Sequence, residues 1–92
     1  MWVNDQDLAP QDILDCLSQP AVRLLRNVAV CLLRRDWRWI HLSDVAAATL
    51  AGCKLHEISD VRTELIAHEL IDYRQTNRLP RYTLLNPAGL RG

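Results

Sequence analysis

Ile40-His41-Leu42-Ser43-Asp44-Val45-Ala46-Ala47-Ala48-Thr49-Leu50-Ala51-Gly52-Cys53 decides the fold, because it reads as strand, cap, helix and turn without a break. Ile40-His41-Leu42 is a short apolar run. Ser43 is a helix N-cap, and Asp44 stands where a helix N-terminus favours negative charge. Residues 45–50 make about two turns of helix, and Ala51-Gly52-Cys53 ends it. A second helix is predicted from about Leu55 to Leu70, since Ile58, Val61 and Leu65 fall three and four apart and Ile66 and Leu70 continue the stripe. Beyond it, Ile71-Asp72-Tyr73-Arg74 and Arg81-Tyr82-Thr83-Leu84-Leu85 read as two strands around a polar loop.

A short helix, a Gly-containing turn and a longer helix are the parts of a helix-turn-helix, and a hairpin behind them makes such a unit winged. The upstream sequence supplies a helix for these to pack on. From Ala21 to Arg35, Ala21, Leu24, Leu25, Val28 and Leu32 form one apolar stripe, widened by Val22, Ala29, Val30 and Leu33. Such a helix is either central or an interface, and a homodimer through the N-terminal helices is the second possibility. Pro10 is placed to open a helix carrying Ile13, Leu14 and Leu17, ending near Ser18-Gln19 before Pro20 restarts the chain. Residues ahead of Pro10 read as a poorly ordered lead-in, where Trp2 and Val3 can dock on a neighbour. The expected fold class is therefore α+β, mostly helical: a winged helix-turn-helix over 20–92 with a small two- to three-stranded sheet, preceded over 1–19 by an extension with a short helix.

Ninety-two residues, 49% apolar and 24% charged, suit one small folded domain. No apolar run approaches the roughly 20 residues a membrane span needs. The acidic N-terminus lacks the basic-then-apolar order of a signal peptide, so a cytoplasmic protein is expected. Cys16, Cys31 and Cys53 are too few and too dispersed for a disulfide framework and are read as buried thiols. Trp37 and Trp39 alternate with Arg38 in an extended segment and are read as the lid of the core rather than as stacking platforms for bases.

A formal net charge of zero does not advertise a nucleic-acid binder, but its distribution is uneven. Asp5, Asp7, Asp12 and Asp15 precede any basic residue. Arg23, Arg26, Arg34, Arg35 and Arg38 face only Asp36, and from Arg74 onward there are four arginines and no acid. In the second helix, Lys54, His56, Ser59, Asp60 and Thr63 project away from the apolar stripe and are available to a major groove. Arg62 lies nearer the apolar face, from which its long stem can extend outward. Arg74, Arg78 and Arg81 around the hairpin are candidates for gripping phosphates. Against DNA, residues 54–70 hold four acids, Glu57, Asp60, Glu64 and Glu69, for two bases. First-turn acids are explained by the helix dipole, but Glu64 is not.

These residues resemble the winged helix-turn-helix superfamily, notably small bacterial regulators of the MarR and PadR kind, over about residues 20 to 90. Leu42-Ser43-Asp44-Val45-Ala46 looks like the opening of the family's second helix. Glu69-Leu70-Ile71-Asp72-Tyr73-Arg74 looks like the end of the recognition helix entering the wing, and Arg81-Tyr82-Thr83-Leu84 followed by Asn86-Pro87-Ala88-Gly89-Leu90 is similar to a strand with a proline-opened terminal helix. The resemblance implies sequence-specific binding of double-stranded DNA, usually by a dimer, with Lys54, His56, Ser59 and Thr63 reading bases and the wing holding the backbone. Such a regulator controls an operon, a phage or a plasmid. Family members usually carry Gly where Glu69 stands, so a differently shaped helix end is expected, and the family's long C-terminal dimerisation helix is not expected. Metal binding is not expected, because Cys53 and His56 lack further ligands nearby, with His41 and His68 elsewhere in the motif. Nothing resembles an oxyanion site or phosphate loop, so neither enzyme activity nor a cofactor is expected. The alternative function is a non-enzymatic winged-helix module that binds a protein partner within a larger complex, supported by the acidic second helix and the neutral total.

Overall fold

The computed structural model describes residues 11–35 and 38–85. The expectations for Trp2 and Val3, Pro10, Asp36-Trp37 and the terminal helix at 86–90 lie outside them. Helix α1 spans Gln11–Cys16 and α2 Gln19–Arg35, followed by strand β1 at Ile40–His41 and helix α3 at Asp44–Ala51. A 3-10 turn at Leu55–Glu57 leads into α4, Ile58–Ala67, and strands β2, Ile71–Arg74, and β3, Arg81–Leu84, complete the order. The chain is α+β and mainly helical, with one three-stranded antiparallel sheet among the described residues.

Helix α2 is the centre. Ala21, Leu24, Leu25, Val28, Ala29 and Leu32 are all buried, and α3 and α4 pack on it. Leu14 and Leu17 from the α1 segment join the same core, so the short N-terminal helix shares it. Ser18 starts α2: its hydroxyl accepts from Ala21 N–H (3.4 Å) and its carbonyl from Val22 N–H (3.1 Å). Helix α3 begins as its sequence requires, with Ser43 Oγ accepting from Ala46 N–H at 3.1 Å. Its buried residues are small, Ala47, Ala48 and Ala51, which suits close approach to α2. Asn27 of α2 donates to the carbonyl of Leu50 (2.7 Å), satisfying one of the orphan acceptors at the end of α3. Gly52, at φ +70°, then turns the chain, its N–H donating to Thr49 and Cys53 N–H to Ala48.

Helix α4 differs from the single helix expected over 55–70. Its first turn is 3-10, closed by Glu57 Oε1 accepting from Lys54 N–H at 3.0 Å, and it ends at Ala67. The ending also corrects the expectation for Glu69. That residue adopts φ +57°, with Glu69 N–H donating to Ile66 and Leu70 N–H to Leu65. This is the same double hydrogen bond that Gly52 makes after α3, so glutamate holds the left-handed position that glycine usually fills.

In the sheet β3 lies between β1 and β2. The register pairs Ile40 with Tyr82, His41 with Arg81, Tyr73 with Tyr82 and Arg74 with Arg81. Ile40, Ile71, Tyr73, Tyr82 and Leu84 thus share the face packed on the helices, Tyr82 being fully buried. His41, Asp72, Arg74, Arg81 and Thr83 share the outer face. Because a left-handed conformation costs a non-glycine residue about 1–2 kcal/mol, Glu69→Gly should stabilise the fold by about 0.5–1 kcal/mol after glycine's extra chain entropy is subtracted. Gly52→Ala, strained in φ and meeting the movable Arg23 side chain at 2.8 Å, should destabilise by about 1 kcal/mol. Urea unfolding midpoints of the two variants check both signs.

Candidate nucleic-acid interface

The expected base-reading residues occupy one exposed strip. Lys54 and His56 lie in and before the 3-10 turn, and Ser59 and Thr63 one and two turns further along α4; all four are exposed. The Thr63 hydroxyl donates to the Ser59 carbonyl (2.9 Å), which leaves its oxygen as an acceptor toward solvent. Asp60 is exposed among them, so the strip carries both signs.

Arg62 is not part of that strip. Rather than extending outward, its guanidinium turns under the hairpin, with the side chain only 12% exposed. Nη1 donates to Asp44 Oδ1 at 2.7 Å and to the Tyr82 hydroxyl at 3.3 Å, while the guanidinium carbon sits 4.4 Å from the Tyr73 ring centroid. Tyr73 and Tyr82 meet edge-on at 5.2 Å. One side chain therefore joins α3, α4, β2 and β3. Burial draws the Arg62 pKa down, but the hydrogen bond and charge interaction with Tyr82 and the bond to Asp44 outweigh it, and the net shift is upward. For Tyr82 burial dominates over the neighbouring guanidinium and raises the phenol above its ordinary value of 10.0.

Two of the four acids on residues 54–70 have structural roles. Glu57 closes the turn before α4, as above. Glu64 reaches the start of α2, its carboxylate accepting from Ser18 N–H (2.5 Å) and from the Ser18 hydroxyl (2.8 Å). Negative charge at a helix N-terminus is favourable, so the acid that α4's own dipole did not explain serves a different helix. Burial, and then the charge of Glu57, push the Cys53 thiol up, which keeps it protonated at neutral pH. Cys16 is exposed and Cys31 and Cys53 only half-buried, contrary to three buried thiols. Among the described residues no group of three His, Cys, Asp or Glu side chains comes together as a metal site, and no helix is long and apolar enough to cross a membrane.

The hairpin separates its three arginines. Arg78 lies in the loop, where the Thr76 hydroxyl donates to the Leu79 carbonyl (2.8 Å) and accepts from Arg78 N–H (3.1 Å). Arg74 and Arg81 are cross-strand partners at the loop end of the two strands. Arg74 Nε contacts Asp72 at 3.1 Å with both side chains well exposed, a pairing worth little and readily exchanged for another anion. Arg81 lies over Trp39, 5.6 Å from the ring centroid. Trp39 itself is 47% exposed, so it is not the lid of the core. Strand alternation is the sequence signal for this: with Ile40 and Leu42 inward, Trp39 and His41 must face out.

No protein-family model matches the chain, and no curated protein or solved structure does either.

The Arg62 cluster sets two expectations. Arg62→Ala should cost about 2 kcal/mol, from the missing hydrogen bond to Tyr82, the ring interaction and packing of the stem, with little from the exposed Asp44 carboxylate. Because Tyr82 has a raised folded pKa, its contribution to stability is complete below the unfolded tyrosine value, about 10, and is lost as pH rises through the folded value. Thermal unfolding across the alkaline range should therefore show a steeper loss for the wild type than for Tyr82→Phe.

Proposed function

We propose that the chain is a winged helix-turn-helix, sequence-specific double-stranded DNA-binding regulator, with α4 as recognition helix and the β2–β3 hairpin as wing. The observation that carries this reading is the sequence of α3, a glycine turn, α4 with a solvent strip of hydrogen-bonding side chains, and an arginine-bearing hairpin fixed to α4 through Arg62. Lys54, His56, Ser59 and Thr63 would face base edges, whose donor and acceptor pattern short polar side chains can read. Arg74, Arg78 and Arg81 supply the phosphate grip, a sequence-independent attraction that fixes register. The acid count of α4 is less adverse than it looks, since Glu57 and Glu64 are held by the Lys54 amide and by Ser18. Arg62 has a positioning role here rather than a direct role at the DNA. A homodimer, which would present two recognition helices to two half-sites, belongs to the same reading.

A second reading, a module that docks on another protein, is favoured by Val45, Leu55 and Ile66, large apolar side chains exposed on α3, on the 3-10 turn and on α4. Fluorescence anisotropy on a mixed-sequence duplex, between about 50 and 200 mM salt, separates the two. The DNA reading predicts affinity that falls with salt. Arg74→Ala/Arg78→Ala should reduce the slope of log K against log salt by about 2, close to one for each phosphate no longer neutralised. Absence of binding at the low-salt end contradicts it and leaves the protein-docking reading.

A further inference from the structure

The outer face of the sheet has its own chemistry. The register sets His41 of β1, Arg81 of β3 and Arg74 of β2 in one row across all three strands. Like charges directly opposite one another destabilise a sheet, and here the two guanidinium groups are turned apart, Arg81 onto the Trp39 ring and Arg74 onto Asp72. His41 Nδ1 lies 3.1 Å from the Leu79 carbonyl, which steadies the imidazole at the same edge. Beside this row stands Trp39, nearly half its surface in water, where burial of so large a ring would ordinarily be favourable.

An exposed aromatic ring with the Arg81 guanidinium against it, and Arg74 next to Arg81 on the following strand, matches a ligand with both an unpaired π-face and negative charge. We propose that this face binds single-stranded nucleic acid, with a base stacked on Trp39 and adjacent phosphates held by Arg81 and Arg74. Bases in a duplex are already stacked on each other and cannot lie on the ring, so the single strand is the form selected. A second copy of the chain laid face to face is disfavoured, because it would oppose the same arginines. Asp72 gives Arg74 a weak resting partner that a phosphate replaces.

The arginines of this row also serve the proposed grip on a duplex, so Trp39, which contacts Arg81 but is assigned no duplex phosphate or base itself, is the position to test. Anisotropy would be measured with a labelled oligothymidylate of about 12 nucleotides and with a mixed-sequence duplex, for the full chain and for Trp39→Ala and Trp39→Phe, each checked for folding by circular dichroism. The expected result is that Trp39→Ala weakens the single-strand complex by about ten-fold or more, as removal of one stacked base does. Trp39→Phe should retain most of the affinity, and whatever affinity the duplex has should change less than two-fold in either variant. Trp39→Phe alone decides the matter if Trp39→Ala does not fold: a ten-fold loss in it overturns the proposal. So does failure of the wild type to bind the oligothymidylate, affinity indifferent to Trp39→Ala, or binding to anionic phosphatidylserine vesicles in place of the oligonucleotide.

Discussion

Four elements converge on the guanidinium of Arg62: the first residue of α3 through Asp44, α4 through its own backbone, β2 through the Tyr73 ring and β3 through the Tyr82 hydroxyl. Leucine and alanine packing holds the three long helices together, but apolar contact is non-directional and tolerates sliding. The Arg62 interactions are directional. They tie α4 to the start of α3 through Asp44 and to the hairpin through Tyr73 and Tyr82. Planarity and five donors suit arginine to such a junction, where lysine would offer only a point charge.

Several polar and charged side chains of this small domain are committed to its own architecture. Ser18 and Ser43 cap helices with their hydroxyls, Glu57 closes a turn, Glu64 crosses from α4 to the start of α2, and Asp44 anchors Arg62. A neutral total charge can therefore coexist with a biased surface, because several of the negative groups are engaged at helix ends while Arg74 and Arg78 remain exposed. Asp60 is then the acid standing within the strip of α4 that would meet a duplex.

Elements dominated by local chemistry were legible in the sequence. The three-and-four spacing of α2, the Ser43 cap and the Gly52 turn lead directly to the observed helices, and the two strands of the hairpin follow from alternation and turn residues. What could not be read depended on interactions distant along the chain. Glu64 finds Ser18 forty-six residues away, and Arg62 finds its partners on three other elements, so a helical projection alone placed it beside the core without saying that it was held there. Glu69 shows the limit of residue preference: the double hydrogen bond at the end of α4 prevails over the cost of a left-handed glutamate. Trp39 is a different case, since the alternation that makes it outward was present in the sequence but was outweighed by the general tendency of tryptophan toward burial.

We propose that the exposed strip of α4 and the hairpin form one surface for duplex DNA, with Arg62 joining the two. Amide chemical shifts of the isotope-labelled protein, followed as duplex is added, test it most directly. The predicted result is a set of perturbations concentrated at residues 54–63 and 74–81, with α1 and the buried face of α2 unchanged. Perturbations clustered on α1 with the α4 strip silent, or no change at saturating duplex, would contradict it.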